Sequence, residues 1–358
     1  MTMTINSDAL KVMAQINKKN GAGTVVFASE VNIPARITTG SLTLDTVLGG
    51  GWPMNHWVEI VGEASHGKTA IALKTIAANQ AKNPDFTAVW IAAEQFDSGY
   101  AEMCGVDTNR VLIVETNSME DAFDAVIQFM ESKSVDIVVV DSLPALVPSA
   151  EDEKTMEEFT VGRGALITNK FFRKVSGATK RLMDGSERPV LGLMINQYRM
   201  KIGVMHGDPR TTPGGLGKDY AYSIRCEVKR DEWIDVGTGE SKRRVGQTIR
   251  VRTIKNKTYP PQQTAYMDFY FSEGGPIDQG SYDFGKEIVA MSLLNGVVER
   301  RGGWLYYNNR KWQGAINLIN SIREEIDLQE ELTAAVLDTL KHGSVIQAVV
   351  VSEDDAEE

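Results

Sequence analysis

Two cysteines in 358 residues, Cys104 and Cys226, are too few for a disulfide framework. Neither belongs to a CxxC pair or a Cys/His cluster, which excludes a zinc site of that type. No apolar run approaches the roughly 20 residues that a membrane-spanning helix requires. The opening "MTMTINSDALKVMAQINKK" lacks the apolar core of a secretory signal, so the expected setting is the reducing cytoplasm, with no membrane partner. No internal repeat is visible. Positive charge is also in deficit: 38 Lys and Arg against 48 Asp and Glu leave a net charge of −10. Taken alone, that counts against a nucleic-acid partner. Its distribution says otherwise. Five of the last six residues, "EDDAEE", are acidic and read as a solvated tail. Cations gather at "RMK" (199–201), "KRR" (242–244) and "RVRTIKNK" (250–257). "KRR" lies in a polar, Gly-containing stretch and reads as an exposed hairpin tip.

What is present is the composition of a soluble globular protein, 42% hydrophobic and 24% charged. The length suits one α/β domain with smaller attachments. Residues 8–19 carry apolar side chains at helical spacing, and 20–36 form a polar connector with one apolar patch, "TVVF". From 37 to about 272, apolar runs alternate with helical segments, predicting a mainly parallel sheet between helices. The expected strands are "WVEIV", "AVWIAA", "DIVVVD", "VLGLMIN", "SIRCEV", "QTIRVRTI" and "AYMDFYF". The last three alternate apolar with polar residues, as an antiparallel extension does. After "GGPIDQGS" comes a small α+β unit over 273–342 with a helix "EIVAMSLLNG", a hairpin "GGWLYYNNRKW" and helices near 313–340; an acidic tail, 343–358, follows.

The stretch "GEASHGKT", residues 62–69, has a strand before it and an Ala-rich helix after it, the context that a phosphate loop demands. Gly62 and Gly67 let the backbone of Gly62, Glu63, Ala64, Ser65, His66 and Gly67 turn N–H groups inward. Lys68 supplies a cation for terminal phosphates, the Thr69 hydroxyl can hold Mg²⁺, and the helix from Lys68 through Ala70 adds its positive dipole end. Asp141 ends an apolar strand, where a Walker B acid orients Mg²⁺ through water, and Glu94 ends another, where it can polarise a water. Asn196 and Gln197 end "VLGLMINQ" and either sense the terminal phosphate or cap the strand. The segment "YRMKIGVMHGDPRTTPGGLGKDY" is too rich in Gly and Pro for a long helix or central strand, and its cations and hydroxyls suit a polyanion backbone. A second loop, "PSAEDEKTMEEFTVGRGA", follows the Asp141 strand.

In this order, "RITTGSLTLDTVLGGGWPMNHWVEIVGEASHGKT", "AAEQFDSGYAEMCGVD", "VVVDSLPALVPSAE", "INQYRMKIGVMHGDPRTTPGG" and "IKNK" resemble the bacterial RecA-type recombinases almost end to end. The resemblance implies a RecA-like P-loop ATPase core over 37–272, a subunit-tethering N-terminal arm over 1–36 and a small C-terminal domain. It implies ATP and Mg²⁺ as ligands, single- and double-stranded DNA as partners, and a helical homo-oligomeric filament that exchanges strands; repressor and polymerase partners belong to the same expectation. In that family Lys68 and Thr69 bind phosphate and Mg²⁺, Glu94 activates water, Asp141 is the Walker B acid, and Asp97 and Tyr100 meet adenine. Gln197 couples the γ-phosphate to a DNA loop holding Arg199, Lys201, Ile202, Thr211, Thr212, Gly214 and Gly215. Val161, Gly162 and Arg163 fall in the other DNA loop, and Lys255 and Lys257 match a pair that reaches the neighbouring subunit's nucleotide. His206, Pro213 and Asp219 depart from the family's Phe, Thr and Lys, and one residue fewer separates Glu94 from Asp97. Two other readings share the phosphate loop: a ring-forming RecA-fold helicase, and a nucleoprotein scaffold that stimulates repressor self-cleavage.

Overall fold

A computed structural model describes residues 5–31, 35–152, 162–178, 188–200 and 209–342. Val161, Lys201, Ile202, His206 and the acidic tail lie outside the described residues. The centre is a nine-stranded sheet. Its order from one edge is Ser281–Tyr282, Thr264–Tyr270, Arg243–Asn256, Ile224–Val236, Trp57–Val61, Leu191–Asn196, Ile137–Asp141, Ala88–Ala92 and Val111–Glu115. Pairing is parallel from Ile224–Val236 through to Val111–Glu115, and antiparallel across the remaining strands. The seven expected strands are all there. Val111–Glu115 and Ser281–Tyr282 are additions to that expectation. Leu112 and Ile113 of the first are exposed, as its place at the edge of the sheet allows.

Alternation along the parallel strands divides the core in two. Ile137, Val139, Leu191, Leu193 and Ile60 face one side, where the helix Lys68–Lys82 buries Ile71, Leu73 and Ile76. Val138, Val140, Met194 and Trp57 face the other, against the helices Met119–Ser132 and Arg163–Ala178. On that second side Trp57 meets Phe171 and Phe172 edge-on at 5.3 and 5.8 Å. Phe171 stacks on Phe123 at 4.2 Å, and Phe172 meets Tyr222 at 5.0 Å. The strand carrying the phosphate loop is thus fixed by rings to the helix that begins at Arg163.

The hairpin Ile224–Val236/Arg243–Asn256 runs much further than "SIRCEV" suggested, and "KRR" does lie at its turn. A third core, built on Ile288, Leu318, Ile322, Leu332 and Val336, joins the helices Phe284–Leu294, Gly314–Glu324 and Ile326–His342. A three-stranded sheet, Glu299–Arg301, Trp304–Tyr307 and Arg310–Gln313, flanks them. At the other end of the chain the helix Ser7–Asn20 is held to the connector by Asn17, whose amide bonds both the N–H and the carbonyl of Val25. Among the described residues no helix is long and apolar enough to cross a membrane.

Candidate functional site

Residues 62–67 span the turn from strand Trp57–Val61 to helix Lys68–Lys82. Gly67 caps that helix at φ 94°, a left-handed conformation costly for other residues, and no side chain among the described residues caps the helix end. Its first backbone N–H groups are therefore presented to the loop's concavity. Gly62 answers a different need: a Cβ there would stand 2.2 Å from the Val228 carbonyl oxygen. The loop is pressed against the long hairpin, and only glycine permits that approach.

Lys68, 6% exposed, donates through Nζ to the Glu63 carbonyl at 2.6 Å. Burial pulls its ammonium below the usual value, opposed by Asp141, Glu94 and Glu63. The Thr69 hydroxyl donates to Asp141 Oδ2 at 3.0 Å. Burial pushes the Asp141 carboxyl up to about 6; Thr69's hydrogen bond opposes this, and the Glu94 charge adds to it. Glu94 Oε1 accepts from the Ser142 hydroxyl at 2.5 Å, and the Glu94 N–H donates to the Asp141 carbonyl at 3.2 Å. Ser142 was not singled out from sequence. His66 is buried, and burial together with Arg230 holds its imidazole below the usual value, which makes it neutral at pH 7. The four groups marked out by sequence, Lys68, Thr69, Glu94 and Asp141, therefore converge.

A cleft of about 310 Å³ opens from this point, lined by Ser65, Gly67, Lys68, Thr69 and Ala70 and by four rings. The rings are Tyr100, Trp233, Phe269 and Phe271, with Gln247 among them. Only Tyr100 was expected. The missed residues come from the antiparallel strands and the chain just beyond them, and the one sequence signal was an isolated Trp within the acidic "DEWID". Asp97 is not among the residues that line the cleft and spends Oδ1 on capping the helix that carries Tyr100, accepting from the Tyr100 N–H at 2.9 Å.

Gln197 follows the strand end at Asn196, next to the phosphate loop, where the Gly62 N–H donates to the Asn196 carbonyl at 3.4 Å. The open question about the amide pair resolves for Asn196. Its buried side chain donates to Glu59 at 2.8 Å and to the Pro213 carbonyl at 3.4 Å, an internal tie. Arg199 is exposed and pairs with Thr211, so the two ends of the Gly/Pro-rich loop close as a short antiparallel stem. Arg210 supports the stem, lying 4.8 Å over the Tyr198 ring and 2.6 Å from Glu227. Thr212 accepts from Lys218 at 2.6 Å. After Pro213, Gly214 and Gly215 both have positive φ, 96° and 73°. Gly162 and Arg163 are exposed at the start of their helix.

Lys218 is wholly buried, 3.4 Å from Glu59 and 2.7 Å from Asp219. Arg225 completes the cluster, 2.6 Å from Glu59 and 3.2 Å from Asp219. Asp219, a departure from the family pattern, thus has cationic partners within its own chain. Lys255 and Lys257 reach the same turn: Lys255 donates to the Asp219 carbonyl, and Lys257 to that of Tyr220 at 2.9 Å. Burial first, then the Lys257 and Arg225 charges, bring Lys255 down to about 8.

Comparison with known proteins shows the family. A family model described as the RecA N-terminal domain matches residues 8–276. Protein RecA of Nostoc punctiforme is 34% identical over 99% of this chain and 98% of its own length. Protein RecA of Lactobacillus delbrueckii subsp. bulgaricus is 34% identical over 92% of this chain and 96% of its own. That of Oceanobacillus iheyensis is 35% identical over 90% and 89%.

Proposed function

The chain belongs to the RecA family, DNA-dependent ATPases of recombination and repair, and we propose that it binds ATP and Mg²⁺ along the cleft from Lys68 to Tyr100 and couples hydrolysis to strand exchange. The observation that carries this reading is the convergence of Lys68, Thr69, Glu94 and Asp141 at an uncapped helix N-terminus. Lys68 and the helix N–H groups offset charge that builds on the transferring phosphoryl group. Ser142 holds one oxygen of Glu94, leaving the other to polarise the attacking water. Thr69 and Asp141 fit a divalent cation, which would stabilise charge on the phosphate oxygens. Among the described residues no cluster of three or more His, Cys, Asp and Glu could hold a metal. A cation at Thr69 and Asp141 would therefore take most of its ligands from phosphate and water.

Arg199, Lys201, Ile202, Thr211, Thr212, Gly214 and Gly215 form one DNA-binding loop in this reading, and Val161, Gly162 and Arg163 the other. The stem at Arg199–Thr211 begins two residues after Gln197, so a phosphate contact at Gln197 has a short covalent path to DNA. Lys255 and Lys257 serve the nucleotide of the adjoining subunit, which requires a head-to-tail, filament-forming contact. The division into arm, core, C-terminal domain and tail, a cytoplasmic setting, and repressor or polymerase partners complete the proposal. A D-loop assay with homologous duplex tests it. Joint molecules should form with ATP and not without it; ATP-independent joints, or closed rings by electron microscopy, would overturn it.

A further inference from the structure

Trp233, Gln247 and Phe269 are directly opposite one another on three adjacent antiparallel strands, Trp233 across from Gln247 and Gln247 across from Phe269. Residues so paired project to the same face of a sheet. All three line the cleft, so its wall is a row with an amide between two rings. An amide in such a place is costly unless it is bonded. Gln247 is 5% exposed, yet its Oε1 is buried with no partner among the described residues. Its position along the cleft is also fixed. Gln247 Nε2 lies 3.5 Å from where a Cβ on Gly67 would stand, and Ile249, two residues along, lies 2.4 Å from that point. The amide therefore stands against the phosphate loop, one residue from Lys68, in the cleft that Tyr100 also lines. The part of a nucleotide between its phosphates and its base is the sugar.

We propose that Gln247 reads the ribose of the bound nucleotide, its amide bonding a sugar hydroxyl beside the buried Phe269 ring, with the half-exposed Trp233 on its other side. This rests on the nucleotide reading given above and adds a residue that sets sugar specificity. The logic is that of a site built around a substrate hydroxyl: an analogue without the hydroxyl leaves the buried amide unpaired, and so binds less well.

The test is calorimetric titration of the full chain, without DNA, using the Mg²⁺ complexes of ATP, 2′-deoxy-ATP, 3′-deoxy-ATP and ITP. Wild type should bind ATP about three- to tenfold tighter than at least one deoxy analogue, the range for one net hydrogen bond. Gln247→Met should bind ATP more weakly and lose that preference. Equal affinity of wild type for ATP and both deoxy analogues overturns the inference, and that arm needs no variant to fold. A preference that survives in Gln247→Met also overturns it. A change confined to ATP against ITP would assign the amide to the base and reject the sugar. Wild type that binds none of the four would instead remove the nucleotide reading itself.

Discussion

Asp141 places the needs of the site against the stability of the fold, and the conflict can be measured. Its carboxyl has an ordinary value of 3.8 and titrates here at about 6, chiefly because it is buried, with the Glu94 charge adding to the shift. Below pH 3.8 it is neutral whether the chain is folded or not, and costs nothing. Between 3.8 and 6 the unfolded chain ionises first, so stability falls as pH rises; above 6 the whole penalty remains. The rise corresponds to at most about 3 kcal/mol, and to about 2 kcal/mol once partial exposure is allowed for. Asp141→Asn keeps an acceptor for Thr69 and removes the ionisation. In EDTA, without nucleotide and at matched protein concentration, this variant should melt about 4 to 8 °C above wild type at pH 7.5. The gap should close towards pH 4. Its DNA-dependent ATPase should be lost, because the carboxylate that would orient the cation is gone. Equal or lower melting at pH 7.5, or an unchanged gap at pH 4, would refute the reasoning.

Glu94→Gln should retain ATP binding and hold the DNA-bound state, since only water polarisation is lost; hydrolysis at the wild-type rate would show that Glu94 is not the base. Arg199→Ala should lower the salt dependence of single-strand binding by roughly 0.7 in log–log slope, the share of one phosphate contact; an unchanged slope places Arg199 off the DNA. Lys68→Ala protein and Lys255→Ala/Lys257→Ala protein should each be nearly inactive alone. An equal mixture on DNA should recover up to about a quarter of wild-type ATPase, the fraction of head-to-tail contacts that bring intact groups together. Substantial activity of the double-lysine variant by itself removes the shared site.

The phosphate-loop part of the cleft was legible because its chemistry sits in contiguous residues: a Gly-bounded loop with Lys68 and Thr69, and acids at the ends of apolar strands. The set of rings was not. Tyr100 belongs to a recognisable block, but Trp233, Gln247 and Phe269 come together only through strand register, which one chain read alone does not disclose. The strand Ile224–Val236 was underestimated for a related reason. Beyond Val228 its side chains are largely charged and solvent-facing, so burial gives no sign of the ladder that continues there. The edge strand Val111–Glu115 was missed although four of its five residues are apolar. The Asn196 tie was left open because spacing cannot show whether an amide turns inward to Glu59 or outward to a ligand.

The rings between Trp57 and the helix Arg163–Ala178 bear on how this chain can change length. Phe171 and Phe172 fix that helix about its axis, and each residue of an α-helix accounts for about 100° of turn and 1.5 Å of rise. Deleting one residue between Arg163 and Phe171 would swing the helix start by about that angle, aiming the chain ahead of it at a different side of the molecule. Single-residue deletions from Arg163 to Phe172 should therefore be resisted, which a deletion scan of this helix would show.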